Sequence, residues 1–579
     1  MSYRWIISNN TDENAVNNLS QSINVSPTIA RILAQRGITC FEDARRFFRP
    51  SLSDLHDPFI MSDMKAATER CIQAINDGEK IAIYGDYDVD GTNSSAMLHL
   101  FFKSFDSDVE FYIPDRFSEG YGISMLGIDR LHKKNINLII TIDCGITAVE
   151  QIKYAKTLGI DVIICDHHEP GSELPEAVAV LDPIKPNCPY PFKHLSGCGV
   201  GYKLVQAICI QLGKKDLENE YLDFVALAAA ADIVPLIGEN RSLVTHGLMK
   251  INNQPRPGLK GLIECAGLTL GKVTTSNVVF GLAPRINAAG RLGDAKRAVE
   301  LLIEVDSVKA FQRAQELESE NRNRRSIDEV TFNDAQEMAE EMMSKKACRS
   351  LVLYNPRWHS GVLGIVASRL VERYHLPAVM LTRLDNIIKG SARSIPHFDI
   401  HNALKVCESH LLEYGGHKYA AGLSISPDNV DKFKDAFSEY ANRAITSEML
   451  IPELNIDTEV LLDELNPKFF NIIKQFAPYG PQNLQPLFVL RNAEIIGYPR
   501  ITGKDHLKFR VRSNEGFIDA IGFSMGSRLQ ELQSGSIYDL VCNIEENEFR
   551  GIISPQLRIH DFQFAESLVT KNDGWDWAN

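Results

Sequence analysis

The sequence predicts an α/β protein in which a parallel-sheet domain is joined by a long helix to a second α/β domain, with a small β-barrel at the C-terminal end. Three observations predict it. Between about residues 75 and 240, short apolar, β-branched runs alternate with longer helix-like segments. From about 294 to 346 there is almost no Gly and no Pro, and from about 452 to 565 short alternating strands follow one another with turn signals between them.

At 579 residues the chain is too long for one ordinary hydrophobic core, so several domains are expected. Its composition, 44% hydrophobic and 23% charged, is that of a folded soluble protein. The start, "MSYRWIISNNTDENAVNN", has no basic region leading into an apolar core, and no apolar run reaches the roughly 18 to 20 residues a membrane span needs. The expectation is a cytoplasmic protein without membrane contact. Eleven scattered cysteines with no C-x-x-C pair exclude a zinc ribbon and a disulfide framework, and Cys144, Cys165 and Cys209 sit in apolar runs as small core residues. The net charge of −14 argues against a non-specific binder of polyanions unless cations are locally clustered, or unless part of that charge serves bound metal.

In chain order, residues 1–60 read as an N-terminal extension. Residues 61–295 contain the runs "KIAIYGD", "VEFYIPD", "NLIITIDCG", "DVIICDHH" and "AVAVLDP". Continuous apolar runs of this kind alternating with helical segments indicate a parallel sheet covered on both faces. Residues 296–346 have apolar positions recurring at three and four, the period of a long linking helix. A second α/β pattern, 347–447, starts at "SLVLYNPRWHSGVLGIVASRLVERY"; residues 452–565, with "LKFRVRS" and "FIDAIGF", read as the barrel, and 566–579 as a tail.

Three of the apolar runs end in carboxylates. "IAIYGDYDVD" ends in Asp86, Asp88 and Asp90, "LIITIDCG" in Asp143, and "VIICDHH" in Asp166, His167 and His168; Asp232 follows the Ala-rich run in "ALAAAADIVPL". In an open parallel sheet the crevice lies at the carboxyl ends of the strands, so residues far apart in sequence can converge there. A lone Asp after a strand is usually a cap or turn residue. D-x-D-x-D-G also resembles a calcium loop, but the EF-hand needs a Glu six residues after its Gly, where this chain has Met97. Together, the carboxylates and imidazoles form a ligand set for Mg²⁺ or Mn²⁺. Without a cation, such carboxylates would have raised pKa values. A pair of ions would serve phosphoryl transfer by activating water and stabilising both attacking and leaving oxygens.

The segments "GDYDVDGT", "TIDCGIT", "CDHHEP" and "AAADIVPL", in that order and spacing, resemble the DHH phosphoesterase superfamily. "PDRFSEGYGIS" and "PRINAAGRLGDA" resemble its large bacterial single-strand-specific exonucleases rather than its small members, and the resemblance covers nearly the whole chain. It implies metal contacts from Asp88, Asp90, Asp143, His167 and Asp232, with Asp143 the bridge between two Mn²⁺ or Mg²⁺ ions and His168 facing the scissile phosphate. Asp86 either supports these ligands or binds metal directly. Many smaller members have a His four residues before the first ligand Asp, where this chain has Tyr84.

"GSARSIPHFDIHNAL" offers Gly390, Ser391, Arg393 and Ser394, and "YGGHKYAAGLSI" offers Gly415, Gly416, His417 and Lys418: backbone amides and cations suited to phosphate. The pair resembles the DHH-associated domain, which implies substrate contacts from Ser391, Arg393, Gly416 and His417, with Arg357, Trp358 and His359 lining the same cleft. Arg322, Arg324 and Arg325 on the linking helix read either as a solvated face or as a phosphate track. In the barrel, Lys508, Arg510 and Arg512 alternate along one strand and share a face beside Lys504, while Phe509 points the other way, into the core. The resemblance makes this an oligonucleotide-binding fold. "APYGPQNLQPLF" departs at Pro481, Gln482 and Leu484 from a turn common in relatives and is assigned only local structure.

The resemblance implies a metal-dependent 5′-to-3′ exonuclease that degrades single-stranded DNA to 5′-mononucleotides in repair and recombination. It also implies a helicase and a single-strand-binding protein as partners and a monomeric state. One alternative is a phosphoesterase of short oligonucleotides or cyclic dinucleotides, marked by a chain ending soon after "GGHKYAAG"; this one continues into the barrel. Another is an inactive single-strand-binding scaffold, marked by lost ligand carboxylates; here every one is present.

Overall fold

The computed structural model describes residues 3–8, 11–115, 119–345, 348–513, 516–549 and 552–565. The expected tail 566–579 lies outside the described residues, as do 116–118 of "PDRFSEGYGIS". The chain forms two units, one of residues 50–452 with 480–482, the other of 1–49 with 453–479 and 483–579.

In the first unit, β1 (Ile81–Gly85), β2 (Val109–Tyr112), β3 (Leu138–Ile142), β4 (Asp161–Cys165) and β5 (Ala179–Leu181) form an all-parallel sheet of order β2-β1-β3-β4-β5. Every residue of β1 and β3 is buried. Successive side chains of a strand point to opposite faces. Thus Ile81, Ile83, Leu138 and Ile140 enter one core with α1 (Val89–Lys103) and α2 (Gly197–Gln211), while Ala82, Tyr84 and Ile139 enter the other. The apolar runs are uninterrupted because both faces are covered.

The expected long linking helix is present, but it starts later than residue 296. Residues 296–303 form a separate short helix, and α3, Ser307–Lys345, begins only after a break. The reason is local capping: the Glu304 carboxylate accepts the N–H groups of Val305 and Asp306, and Asp306 accepts those of Val308 (2.9 Å) and Lys309 (3.0 Å). The first half of α3 buries Ala314 and Leu317 in one core with Leu262 and Ile286 of the preceding domain; the second buries Phe332, Ala335 and Ala339 against the next domain. That domain is a sheet of β6 (Leu351–Tyr354), β7 (Ala378–Leu384), β8 (Ile387–Arg393), β9 (Glu413–His417) and β10 (Ala420–Ile425), in the order β9-β10-β8-β7-β6. Only β6 and β7 run parallel.

The second unit contains β11 (Thr458–Val460) and a barrel of β12 (Phe488–Thr502), β13 (His506–Ser513), β14 (Gly516–Gly522), β15 (Ile537–Phe549) and β16 (Ile552–Phe564). The strands run β12-β13-β14-β16-β15 and close through β15 on β12. The expected N-terminal extension does not stand apart from it. Arg4–Ile7 pairs parallel with Glu453–Ile456. The helices that follow bury Val16, Leu19, Ile29, Ile32, Leu33 and Phe47 in one core with Phe476, Phe488, Leu490 and Leu540. Polar contacts repeat the connection: Gln35 Nε2 donates to the Asp457 carbonyl (2.8 Å) and Thr28 Oγ1 to Glu464 Oε1 (2.8 Å).

Each such side chain contributes roughly 1.5 to 3 kcal/mol on burial, and a domain's net stability is only about 5 to 15 kcal/mol. Deletion of residues 1–49 is therefore expected to unfold the barrel while the unit of residues 50–452 keeps its own transition. Thermal unfolding followed by barrel proteolysis checks this, and an unchanged barrel transition would contradict it.

Candidate metal centre

The carboxyl ends of β1, β3 and β4 meet where the strand order reverses around β1, the usual crevice of an open parallel sheet. After β1 the chain turns through Asp86 and Tyr87 to Asp88, which caps α1: its Oδ1 accepts the Gly91 N–H at 3.0 Å. Asp90, in the first turn of α1, is buried. The first turn of α2 supplies the N–H groups that hold it, Gly197 to Oδ2 and Cys198 to Oδ1, both at 2.7 Å. Asp143, directly after β3, adopts a left-handed backbone (φ 61°), a conformation an Asp tolerates and most residues do not. Its N–H is tied to the Cys165 carbonyl of β4 at 2.9 Å.

These elements bring the expected residues together. His167 Nε2 lies 3.1 Å from Asp143 Oδ1, 3.7 Å from Asp232 Oδ2 and 3.9 Å from Asp90 Oδ2. Three sets of ligand atoms each fall within 4.8 Å of one another: Asp86, Asp88 and Asp143; Asp90, His167 and Asp232; Asp143, His167 and His168. Asp143 is common to two sets. Asp232, the C-cap of the helix Leu222–Ala231, joins from outside the sheet.

The electrostatics are those of a cation site. Burial, then the charge of Asp88, pushes the Asp90 carboxyl up to about 7. Burial, then Asp90 and Asp88, pushes Asp232 up to about 8. Asp143 is raised well above the carboxylate range by burial and by the four surrounding carboxylates. Burial, with His168 beside it, lowers His167 to about 4, which leaves its imidazole neutral, the form that binds metal. Oxygen donors and one neutral nitrogen fit Mn²⁺ or Mg²⁺.

His168 has the opposite character. Burial opposes its charge, but the hydrogen bond from Nδ1 to Asp166 (2.7 Å) and the carboxylates of Asp166, Asp232 and Asp90 outweigh it and raise the ring to about 9. Asp166 also accepts the N–H groups of Ile146 (2.9 Å) and His167 (2.8 Å), so it orients the His pair from beneath. The Tyr121 hydroxyl lies 3.3 Å from His168 Nε2 and 3.4 Å from the Asp143 carbonyl oxygen.

Tyr84 is no part of the centre. It is buried on the opposite face of the sheet, where its hydroxyl donates to the Gly122 carbonyl (3.3 Å) and accepts the Ser124 N–H (3.1 Å), holding the loop that carries Tyr121.

A train of close contacts leads from the acidic loop to the second α/β domain. A Cβ on Gly290 would meet the Tyr87 carbonyl oxygen at 2.8 Å, and one on Gly361 the Arg291 carbonyl oxygen at 2.7 Å; Arg291 Nη1 donates to the Gly361 carbonyl at 3.0 Å. A Cβ on Gly364 would meet Arg393 Nη2 at 2.8 Å. On the sheet there, Arg393 and His417 both register with Ala420 from strands on either side, and Ser391 and Gly415 both register with Gly422. Paired residues share a face, so Arg393, His417 and Ser391 lie on one side. The exposed hairpin carries Gly416 at φ 134°, where a Cβ would meet the Ala420 carbonyl oxygen at 2.4 Å. No carboxylate among the described residues pairs with Arg393, which hydrogen-bonds only to Ser391 Oγ and the Ala392 carbonyl.

Comparison with known proteins agrees with this architecture. Three family models match: DHH family, N-terminal domain, over residues 80–229; DHHA1 domain over 348–443; and RecJ OB domain over 456–561. The chain is 38% identical to the single-stranded-DNA-specific exonuclease RecJ of Bacillus subtilis, over 97% of this chain and 71% of that protein. It is 33% identical to RecJ of Escherichia coli, over 92% of this chain and 95% of that protein. The chain belongs to the RecJ family. A solved structure of Thermus thermophilus RecJ in complex with Mn²⁺ superposes with a TM-score of 0.83 at 29% identity, covering 98% of this chain and 80% of the other.

Several features of this RecJ-family chain differ from the sequence reading. Trp358 does not line a cleft: it is buried in the core beside α3, because its indole is the largest apolar surface in "PRWHSG". Its neighbour Arg357 is exposed, and His359 Nδ1 accepts the Gly361 N–H at 3.1 Å. On α3, Arg322 pairs with Glu318 (2.8 Å) and Arg324 is half-buried against Asn321 (3.1 Å). In the barrel, Phe509 is buried as expected, but the outward cations are already paired: Lys508 (3.6 Å) and Arg510 (3.2 Å) with Asp519, Arg512 with Glu494 (2.6 Å). Sequence reasoning placed Asp166 in the acidic cluster without a role of its own, and gave none to Tyr121 or Asp182. Asp182 is a further buried strand-end carboxylate, pushed up to about 7 chiefly by burial, and "AVAVLDP" carried its signal.

Proposed function

We propose that this protein is a divalent-metal-dependent exonuclease that degrades single-stranded DNA from its 5′ end and releases 5′-mononucleotides, in DNA repair and recombination. The observation that carries the reading is the convergence of Asp90, Asp143, Asp232 and the neutral His167 at the sheet's carboxyl edge, in a chain whose RecJ relatives are named for that activity. Asp88, Asp90, Asp143, His167 and Asp232 would hold two Mn²⁺ or Mg²⁺ ions. Asp143, common to two ligand sets, would be shared between them. Asp86 completes the set around Asp88. Two such ions, when bound, would supply positive charge to activate water and to offset charge on the attacking and leaving oxygens.

The chain's own groups do the rest. His168, held at Nδ1 by Asp166, whose carboxylate favours the charged ring, presents Nε2–H beside the centre to a phosphate oxygen. Water attacks phosphorus in line, the bond from phosphorus to the 3′ oxygen breaks, and that oxygen takes a proton as the terminal nucleotide leaves. Ser391, Arg393, Gly416 and His417, with Arg357 and His359, grip the backbone, and Lys508 and Arg510 of the barrel guide the strand by exchanging their shared partner Asp519 for phosphate. A helicase and a single-strand-binding protein deliver the strand to a cytoplasmic monomer. No helix of the described residues is long and apolar enough to cross a membrane.

Single strands labelled at the 5′ or 3′ end, with duplex controls, test this in Mn²⁺, Mg²⁺ and chelator. The expected result is metal-dependent release of the 5′ label first, from single strands only. Release of the 3′ label first, or equal attack on blunt duplex, would overturn the polarity or the strand preference.

A further inference from the structure

Gly197 opens α2 in "LSGCGVGYKL", with Ser196 as N-cap. Its φ is not positive, so its backbone is one any residue adopts. An Ala in a helix is favoured over Gly by up to about 1 kcal/mol, so neither turn geometry nor helix propensity calls for glycine. What forbids a side chain is a neighbour. A Cβ there would lie 2.7 Å from Asp143 Cβ, 2.9 Å from its Cα and 2.9 Å from its Oδ1. On its other side the same residue donates its N–H to Asp90 Oδ2 at 2.7 Å, and Cys198 donates to Oδ1.

We infer that Gly197 is a positioning residue that sets the spacing between Asp90 and Asp143, and so tunes the affinity of the centre for divalent metal. The inference rests on the metal-dependent reading above. Asp143 cannot retreat freely, because its left-handed backbone is pinned to the Cys165 carbonyl. The helix end cannot retreat without lengthening both hydrogen bonds to Asp90. A side chain at 197 therefore moves one carboxylate against the other by several tenths of an ångström. Mg²⁺ demands near-ideal geometry at about 2.0 to 2.1 Å, so a shift of that size is felt first in binding and not in folding.

The test is Mn²⁺ binding by electron paramagnetic resonance titration, together with thermal unfolding in chelator, for the full-length protein, Gly197→Ala and Gly201→Ala. Gly201 lies one turn further along α2, and a Cβ there would press only on the side-chain tips of Ile142 (2.8 Å) and Met97 (3.1 Å). The expected result is Mn²⁺ affinity at least tenfold weaker in Gly197→Ala, near-parental affinity in Gly201→Ala, and near-parental metal-free melting for Gly197→Ala. Equal affinity in Gly197→Ala would overturn the inference. So would an equal loss in Gly201→Ala, or a metal-free Gly197→Ala protein that is already unfolded. If the parental protein binds no Mn²⁺, the functional reading itself fails.

Discussion

Asp143→Ala should reduce Mn²⁺-dependent hydrolysis of single strands by on the order of a thousandfold or more, the scale of losing several kcal/mol of charge stabilisation at the reacting phosphate, and leave the fold intact. Asp143 is shared by two ligand sets, so no neighbour can replace it. Its removal also relieves repulsion among Asp86, Asp88, Asp90 and Asp232. Ala at φ 61° costs on the order of 1 kcal/mol, whereas Asn tolerates that backbone. Asp143→Asn should therefore melt higher than the parental protein in chelator while being equally inactive. Turnover of labelled strands and thermal unfolding in chelator read the two effects, and retained manganese-dependent activity in the Ala variant would sink the assignment.

The metal-free protein should lose stability as pH rises from about 6.5 to 9, and Mn²⁺ should oppose that loss. Unfolded Asp titrates near 3.9 and unfolded His near 6.5. In the folded chain Asp90 is at about 7, Asp232 at about 8 and His168 at about 9, so all three bind more protons folded than unfolded in this window. Stability then falls with rising pH. His167, lowered to about 4, works the other way, but only below its unfolded value near 6.5, where it loses stability as pH falls. Metal binding displaces the carboxyl protons, so affinity for Mn²⁺ should climb across the same range. Melting curves in chelator and in Mn²⁺ from pH 6.5 to 9 check both. A chelated protein more stable at pH 9 than at 6.5 would contradict the scheme.

The legible part of the site was the part carried by strands. Asp86, Asp88 and Asp143 could be placed together because an apolar run covered on both faces is read locally, and every such run in a parallel sheet delivers its next residue to one edge. Asp232 sits at a helix end, and nothing in its own neighbourhood says which way that helix points. Trp358 was misplaced because it lies between two cleft-suited residues, and its bulk decided for the core. In the barrel, alternation assigned Lys508, Arg510 and Arg512 to the outside, but their partners Asp519 and Glu494 sit on neighbouring strands whose register the alternation does not contain.

By itself the sequence determined the α/β character, the strand-end carboxylates, the neighbouring His pair and the barrel, because periodicity and residue type are local properties. Tertiary structure alone decided that the first 49 residues share the barrel's core. It alone made His167 neutral and His168 charged, and it pressed the bare Cα of Gly197 against Asp143. Those outcomes depend on burial and on distances between groups far apart in the chain, and such distances exist only once the elements have packed.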